Sequence, residues 1–230
     1  MLVADLFSCV GGHALGYMRA GFEPGFFCEV RPERIDVLRK QFPSIPVVRG
    51  VENVRFAIGE IVIGGPACQR TSVAAAIHGY RSGDSLWPQY RKVIGDGSFE
   101  WAIIEQPPGN KDWENTVSRD LATDGWACQW HTITASELGY PHIRRRRFAI
   151  ANRNLSRLQS AGDALPSAIE SVKRAASARR AWIQSIPRVM RMVDGVSRGV
   201  DRQQRIEAIG DSNPPEMAEA IFLAIKGATP

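Results

Sequence analysis

Residues 3–22 read VADLFSCVGGHALGYMRAGF, and the fold follows from this stretch. An apolar run from Val3 to Phe7 passes through a turn holding Gly11 and Gly12 into a helical pattern, which Gly21 closes. A strand that feeds a glycine turn and then a helix leaves the helix's first backbone N–H groups without carbonyl partners, and turns of this kind bind cofactors. Ordinary strand-turn-helix packing produces the same pattern, so the neighbours of the stretch decide between the two.

The same alternation continues outward. PGFFCEV (24–30) and IVIGG (61–65) read as strands, RPERIDVLRKQF (31–42) as a helix, and PVV (46–48) as a short strand; further strands are expected at Trp101 to Glu105, Trp130 to Thr134 and Arg147 to Ala151. Strands separated by crossover helices predict an α/β protein with a mostly parallel sheet flanked by helices. From Asn152 to about Arg180 the chain is rich in Ala, Ser and Arg, with few large apolar residues, and is expected to be partly helical and partly loose. PPEMAEAIFLAIKG (214–227) has Pro early, Gly late and apolar residues at helical spacing, which predicts a terminal helix.

The 230 residues are 44% hydrophobic, enough for one good core and a small appended lobe. Of 29 Lys and Arg, 15 lie between His142 and Arg205, a segment with only 4 of the 24 acidic residues. A basic face concentrated in this way suits phosphate contact, because each neutralised phosphate releases counterions. Cys9, Cys28, Cys68 and Cys128 are far apart in sequence and form no CxxC pair, so neither a metal site nor a disulfide framework is expected. The amino terminus, MLVADLFS, lacks a basic region followed by a long apolar stretch, and no run approaches a membrane span, so a cytoplasmic protein is expected.

Three further segments carry chemistry. IVIGGPACQRTS (61–72) runs from a strand into a loop bearing Cys68, at the sheet edge where open α/β folds bind ligands. A cysteine is more often a small buried hydrophobe, and its reactive thiolate needs a base or positive charge nearby. WAIIEQPPGN (101–110) brings Glu105 out of an apolar run into a Pro-rich turn. GYPHIRRRRFAIA (139–151) sets Arg144 to Arg147 before a strand, so alternate arginines should point the same way. Taken singly, a solvated Glu29, a solvated Glu105 and a solvated arginine run are the simpler readings.

In order and spacing, DLFSCVGG, FFCEV, GGPACQRTS, IIEQPPG, PHIRRRRF and IGDSNPP resemble the motif series of the DNA (cytosine-5)-methyltransferase family, over Asp5 to Pro215. The chain is similar to short, bacteriophage-encoded members with a reduced target-recognition region. The resemblance implies a Rossmann-like S-adenosylmethionine-dependent methyltransferase fold. It also implies a catalytic domain over 1–151, a reduced target-recognition lobe over 152–200, and a C-terminal helical segment over 201–230 that packs back beside the first strand.

It further implies the chemistry. Cys68 would attack carbon 6 of a flipped cytosine in double-stranded DNA, and carbon 5 would take the methyl group of S-adenosylmethionine. Glu105 would hydrogen-bond the base, while Arg144 and Arg146 would fix it and orient Glu105. Phe7, Gly11, Gly12, Glu29, Leu86 and Ser212 would line the methyl-donor pocket. The loop from Gln69 to Trp87, with Gly79 and Gly83 as hinges, would close over the base. A monomer without metal is expected, serving restriction-modification or protecting phage DNA from host restriction.

The sequence departs from the family pattern at Ala67, where a Pro usually precedes the cysteine, at Gln106 and Pro107 in place of Asn-Val, at His142 in place of a Gln, and at Asp211 in place of an Asn. Val51 stands where an acidic residue binding the adenine amine is expected, with Glu52 next to it. Two alternatives therefore stay open: an RNA cytosine-5 methyltransferase, whose marking motif is not found here, and a catalytically degenerate methyltransferase that binds DNA or a partner protein.

Overall fold

The computed structural model describes residues 1–55, 59–66, 85–185 and 212–228. Seven strands form one sheet: β1 (Leu2–Leu6), β2 (Glu23–Glu29), β3 (Val47–Arg49), β4 (Ile61–Gly64), β5 (Trp101–Gln106), β6 (Ala127–Thr134) and β7 (Arg145–Asn152). Their order is β3-β2-β1-β4-β5-β7-β6. The first five are mutually parallel, whereas β7 runs antiparallel to β5, and β6 antiparallel to β7. The mostly parallel α/β sheet expected from the alternation is thus present, extended by an antiparallel pair.

Helices cover both faces: α1 (Gly12–Arg19), α2 (Pro32–Gln41), α3 (Trp87–Asp96), α4 (Lys111–Thr123), α5 (Leu155–Ser185) and α6 (Pro215–Gly227). Period-two alternation divides the core cleanly. Val3, Ile61, Ile63, Ile103, Phe148 and Ile150 face a cluster with Tyr17, Leu165, Met217 and Phe222. Ala4, Leu6, Val62, Ala102, Ile104 and Ala149 face the other, with Tyr90, Trp113, Val117 and Leu121. All 0% exposed, Ile61, Val62, Ile63, Ala102, Ile103 and Ile104 show that β4 and β5 are covered on both sides.

The stretch beginning at Asn152 is more regular than its composition suggests. Leu158, Ala161, Leu165, Ala168, Val172 and Ala176 are buried, a stripe at spacings of three and four along one long helix. Half of that stripe is Ala, which lets α5 lie close to α6 and to the β6–β7 pair. Close approach is visible at Gly162, where a Cβ would sit 2.4 Å from Gln129 Oε1. The terminal helix α6 packs against α1, and Met217, Ile221, Phe222 and Ile225 are fully buried. Gly16 makes that contact possible, since a Cβ there would lie 2.1 Å from the Pro215 carbonyl oxygen.

Among the described residues no helix is long and apolar enough to cross a membrane, and no cluster of three or more His, Cys, Asp or Glu could hold a metal ion.

Candidate functional site

The carboxyl ends of β1, β2, β4 and β5 converge on one edge of the sheet, because these strands are parallel and in register. Beyond β1 the chain makes a tight turn in which Phe7, Cys9 and Gly11 all have positive φ, at 56°, 51° and 85°. A left-handed backbone at Phe7 and Cys9 costs on the order of a kcal/mol each, so the surroundings must hold it. They do so through hydrogen bonds. The Ser8 amide donates to the Cys28 carbonyl at 3.0 Å, the Cys9 amide to Glu29 Oε2 at 2.9 Å, and the Gly11 amide to the Ser8 carbonyl at 2.9 Å. The Ser8 hydroxyl donates to the Asp5 carbonyl at 2.6 Å.

Glu29 is the anchor of this half of the site. Buried at the end of β2, it accepts the Cys9 amide on one oxygen and the Val30 and Arg31 amides on the other, at 2.8 and 3.0 Å. A carboxylate has about four lone-pair positions, so three amide donors leave acceptor capacity for a ligand hydroxyl. Phe7 is half-buried, with its ring edge-on to Tyr90 at 5.9 Å. Gly12 opens α1 beneath the carboxyl-terminal segment, and a Cβ there would stand 2.4 Å from Ser212 Oγ and 2.6 Å from the Asn213 carbonyl oxygen. Leu86 caps α3 and is half-buried. Phe7, Gly11, Gly12, Glu29 and Ser212 are therefore gathered around the first turn, on β1, α1, β2 and the segment before α6. Glu52, one residue after buried Val51, is exposed on a short 3-10 turn.

Two buried groups under this turn have displaced pKa values. Asp5 is 0% exposed, and burial pushes its carboxyl up to about 8 against the weaker opposing influence of the Ser8 and Tyr17 hydroxyls. Burial also pushes His13 down to about 4, and the nearby Arg146 charge adds to the shift. At neutral pH, Asp5 is therefore protonated and the His13 ring is neutral.

The second half of the site is made of charged side chains. Glu105 leaves β5 nearly buried, with Oε1 2.7 Å from Arg146 Nε. Gly65, at the end of the neighbouring β4, gives it room: a Cβ there would lie 2.4 Å from Glu105 Oε2. Arg144 Nη2 donates to the Ser212 carbonyl at 2.8 Å, joining the start of β7 to the segment before α6. The arginine run does alternate. Arg145 is exposed, and Arg147 makes a bidentate pair with Glu114 of α4 at 3.1 and 2.7 Å while lying over the Trp130 ring. Gln106 is buried beside Glu105, and neither end of its amide is paired among the described residues. His142 is exposed and stacks at a tilt on Tyr140.

Cys68 lies outside the described residues, as do Ala67, Gly79, Gly83 and Asp211. Pro66, two positions before Cys68, ends the described part of the β4 loop, one residue after Gly65, which lies against Glu105 of the adjacent strand. His13 and Asn213 were not singled out from the sequence, yet the structure places the ring and amide in contact at 3.1 Å, next to Gly12 and Ser212. The signal available was a His directly after the glycine pair, which single-sequence reading cannot distinguish from a core histidine.

Residues 1–192 match the family model described as C-5 cytosine-specific DNA methylase. The chain is 25% identical over 175 residues to the Type II methyltransferase M.AquIA of Picosynechococcus, covering 65% of this chain and 71% of that protein. It is 29% identical over 163 residues to M2.BsuMI of Bacillus subtilis, covering 66% and 42%. Among solved structures it resembles a putative DNA modification methyltransferase encoded within an E. coli prophage, with TM-score 0.54, 24% identity, and 66% and 46% of the two chains covered. It also resembles a Spodoptera frugiperda DNMT2 mutant, with TM-score 0.54, 16% identity, and 66% and 50% covered. These two likenesses speak for the fold. M.AquIA aside, the chain spans about half the length of the relatives it matches.

Proposed function

Since the chain belongs to the C-5 cytosine-specific DNA methylase family, we propose that it methylates carbon 5 of cytosine in duplex DNA. The observation that carries this reading is the buried Glu105–Arg146 pair at the carboxyl edge of β5, adjacent to the strand end that leads to Cys68. A buried carboxylate held by a guanidinium at a ligand-binding edge is poised to hydrogen-bond a heterocycle, because the arginine fixes its orientation before the base arrives.

The residues fit a methyl donor in the other half of the site. The first-turn amides of α1 have no helical acceptor and suit the donor's carboxylate. Glu29 retains acceptor capacity for its ribose hydroxyls, and Phe7, Leu86 and Ser212 complete the walls. Bound S-adenosylmethionine supplies an electrophilic methyl group.

The work of the chain itself is as follows. The cytosine leaves the stack at a cost of about a few kcal/mol, since its ring is unreachable inside a duplex. The Cys68 thiolate adds to carbon 6, and the electron pair released toward carbon 5 makes that carbon nucleophilic. Glu105 accepts hydrogen bonds from the exocyclic amine and from the ring nitrogen in its protonated form, so it favours the protonated ring that takes up the electron density of the attack, while Arg146 holds the carboxylate in place. Carbon 5 takes the methyl group, with S-adenosylhomocysteine as the leaving group; a base then takes the carbon 5 proton, and the freed electron pair re-forms the carbon 5–carbon 6 double bond as the carbon 6–sulfur bond breaks and returns Cys68 as its thiolate. Residues 152–200 take the role of DNA recognition, supported by Lys173 and Arg174 on the outward side of α5.

Purified protein given tritiated S-adenosylmethionine should transfer label to cytosine-containing duplex DNA. Absence of transfer to DNA by folded protein at saturating donor would favour a binding protein without catalysis, and transfer to RNA alone would move the substrate class.

A further inference from the structure

The dipeptide Ser212–Asn213 is held from two sides by elements far apart in sequence. On one side, Arg144 Nη2 donates to the Ser212 carbonyl. On the other, α1 presents Gly12, whose missing side chain leaves room for Ser212 Oγ, and then His13, whose Nε2 lies 3.1 Å from Asn213 Nδ2. Both His13 and Asn213 are buried. The amide nitrogen Nδ2 can only donate, so the contact makes Nε2 of the neutral ring the acceptor. Asn213 Oδ1 is buried and has no partner among the described residues, so the bond to His13 is the polar tie observed for this side chain.

We propose that His13 and Asn213 are positioning residues that clasp Ser212 over the glycine turn and so set the methyl-donor pocket. The inference rests on the function proposed above. Downstream of the clasp the chain needs no such help, because Pro214 disfavours helical backbone at Asn213, Pro214 itself is extended before Pro215, and α6 is anchored by its own apolar face. Tyr140 and Arg19 fix Glu216 in addition, at 2.6 and 3.1 Å. Breaking the clasp therefore displaces the dipeptide rather than the helix. A leucine at position 13 fills the space of the ring without accepting a proton, whereas a glutamine carries a polar atom to about the position of Nε2.

The test is calorimetric binding of S-adenosylhomocysteine to wild type, His13→Leu, His13→Gln and Asn213→Leu, with Tm and steady-state kinetics for each. His13→Leu and Asn213→Leu should each weaken S-adenosylhomocysteine by about tenfold, as expected for loss of one buried hydrogen bond of about 1.4 kcal/mol. The KM for S-adenosylmethionine should rise in parallel while that for DNA stays unchanged, and His13→Gln should restore most of the affinity. Affinity in both leucine variants within about twofold of wild type would overturn the clasp and leave the methyltransferase reading standing. Equal losses in His13→Leu and His13→Gln, in step with Tm, would also overturn it, since that is what simple core packing predicts. Failure of wild type to bind S-adenosylhomocysteine at all would remove both.

Discussion

The two halves of the site are built from different materials. On the donor side the structure is mostly main chain: three positive-φ residues in one turn, a carboxylate that accepts three backbone amides, and glycines pressed against another segment's backbone. On the base side it is mostly charged side chains, with Glu105 on Arg146 and Arg144 on a carbonyl. Main-chain sites are damaged by anything that shifts the backbone, so their loss shows in stability and ligand affinity together. Charged side-chain sites can lose a functional atom while the fold stands.

That contrast orders the expected effects. The largest is Glu105→Gln, an isosteric change on the base side. Methyl transfer should fall by about 10²–10³-fold, the scale for removing one preorganised electrostatic group. S-adenosylhomocysteine binding and Tm should stay near wild type, and a matching loss of donor affinity would show that the two halves are not separable. Next is Gly12→Ala on the donor side. Its Cβ would meet Ser212 Oγ at 2.4 Å and the Asn213 carbonyl oxygen at 2.6 Å. Overpacking of this kind costs about 1–3 kcal/mol, readable by denaturant unfolding, and donor affinity should fall with it. An alanine that left both unchanged would break the main-chain account of that half.

A third expectation concerns pH. The folded-state pKa of Asp5, at about 8, lies above its ordinary value of 3.8, so the native state binds the proton more tightly than the unfolded chain. The resulting stability is full below 3.8 and is lost as pH rises through 8. His13 works in the opposite direction: its folded pKa of about 4 lies below 6.5, so its contribution is present above 6.5 and is lost as pH falls toward 4. Between pH 6.5 and 8 the Asp5 contribution should fall by about 2 kcal/mol in wild type, a loss that Asp5→Asn should not show, as measured by urea unfolding. An identical slope in the variant would contradict the assignment.

The smallest effect should come from Arg91→Ala, away from both halves. Arg91 pairs with Asp124 between the exposed sides of α3 and the end of α4. Its loss should cost under about 1 kcal/mol and leave methyl transfer unaltered.

Much of this was legible in the sequence because the signals are local. Val3 to Phe7 alternates faces, Gly11 and Gly12 mark a turn, and PPEMAEAIFLAIKG repeats at helical spacing. The arginine run was readable for the same reason, since strand alternation sends Arg144 and Arg146 toward the site and Arg147 away. What was hidden depends on contacts between distant segments. The burial stripe of α5 is half Ala, a residue whose apolar signal is weak and whose value lies in letting helices approach closely. The antiparallel direction of β7 is set by pairing Glu105 with Phe148 and Ala102 with Ala151, which no single segment encodes. The His13–Asn213 contact joins residues 200 apart in sequence. Helices α3 and α4 carry a weaker local signal, because Trp87 and Lys111 open them next to loop-like composition and their apolar stripes are short.

The central claim is that Cys68 attacks a cytosine held by Glu105 and Arg146, and one measurement tests it most directly. Duplex DNA carrying 5-fluorocytosine should trap the covalent adduct, because fluorine at carbon 5 cannot leave as a proton does. With S-adenosylmethionine present, wild type should form a denaturation-resistant protein–DNA complex and Cys68→Ala should form none. A complex of equal yield with Cys68→Ala would contradict the account.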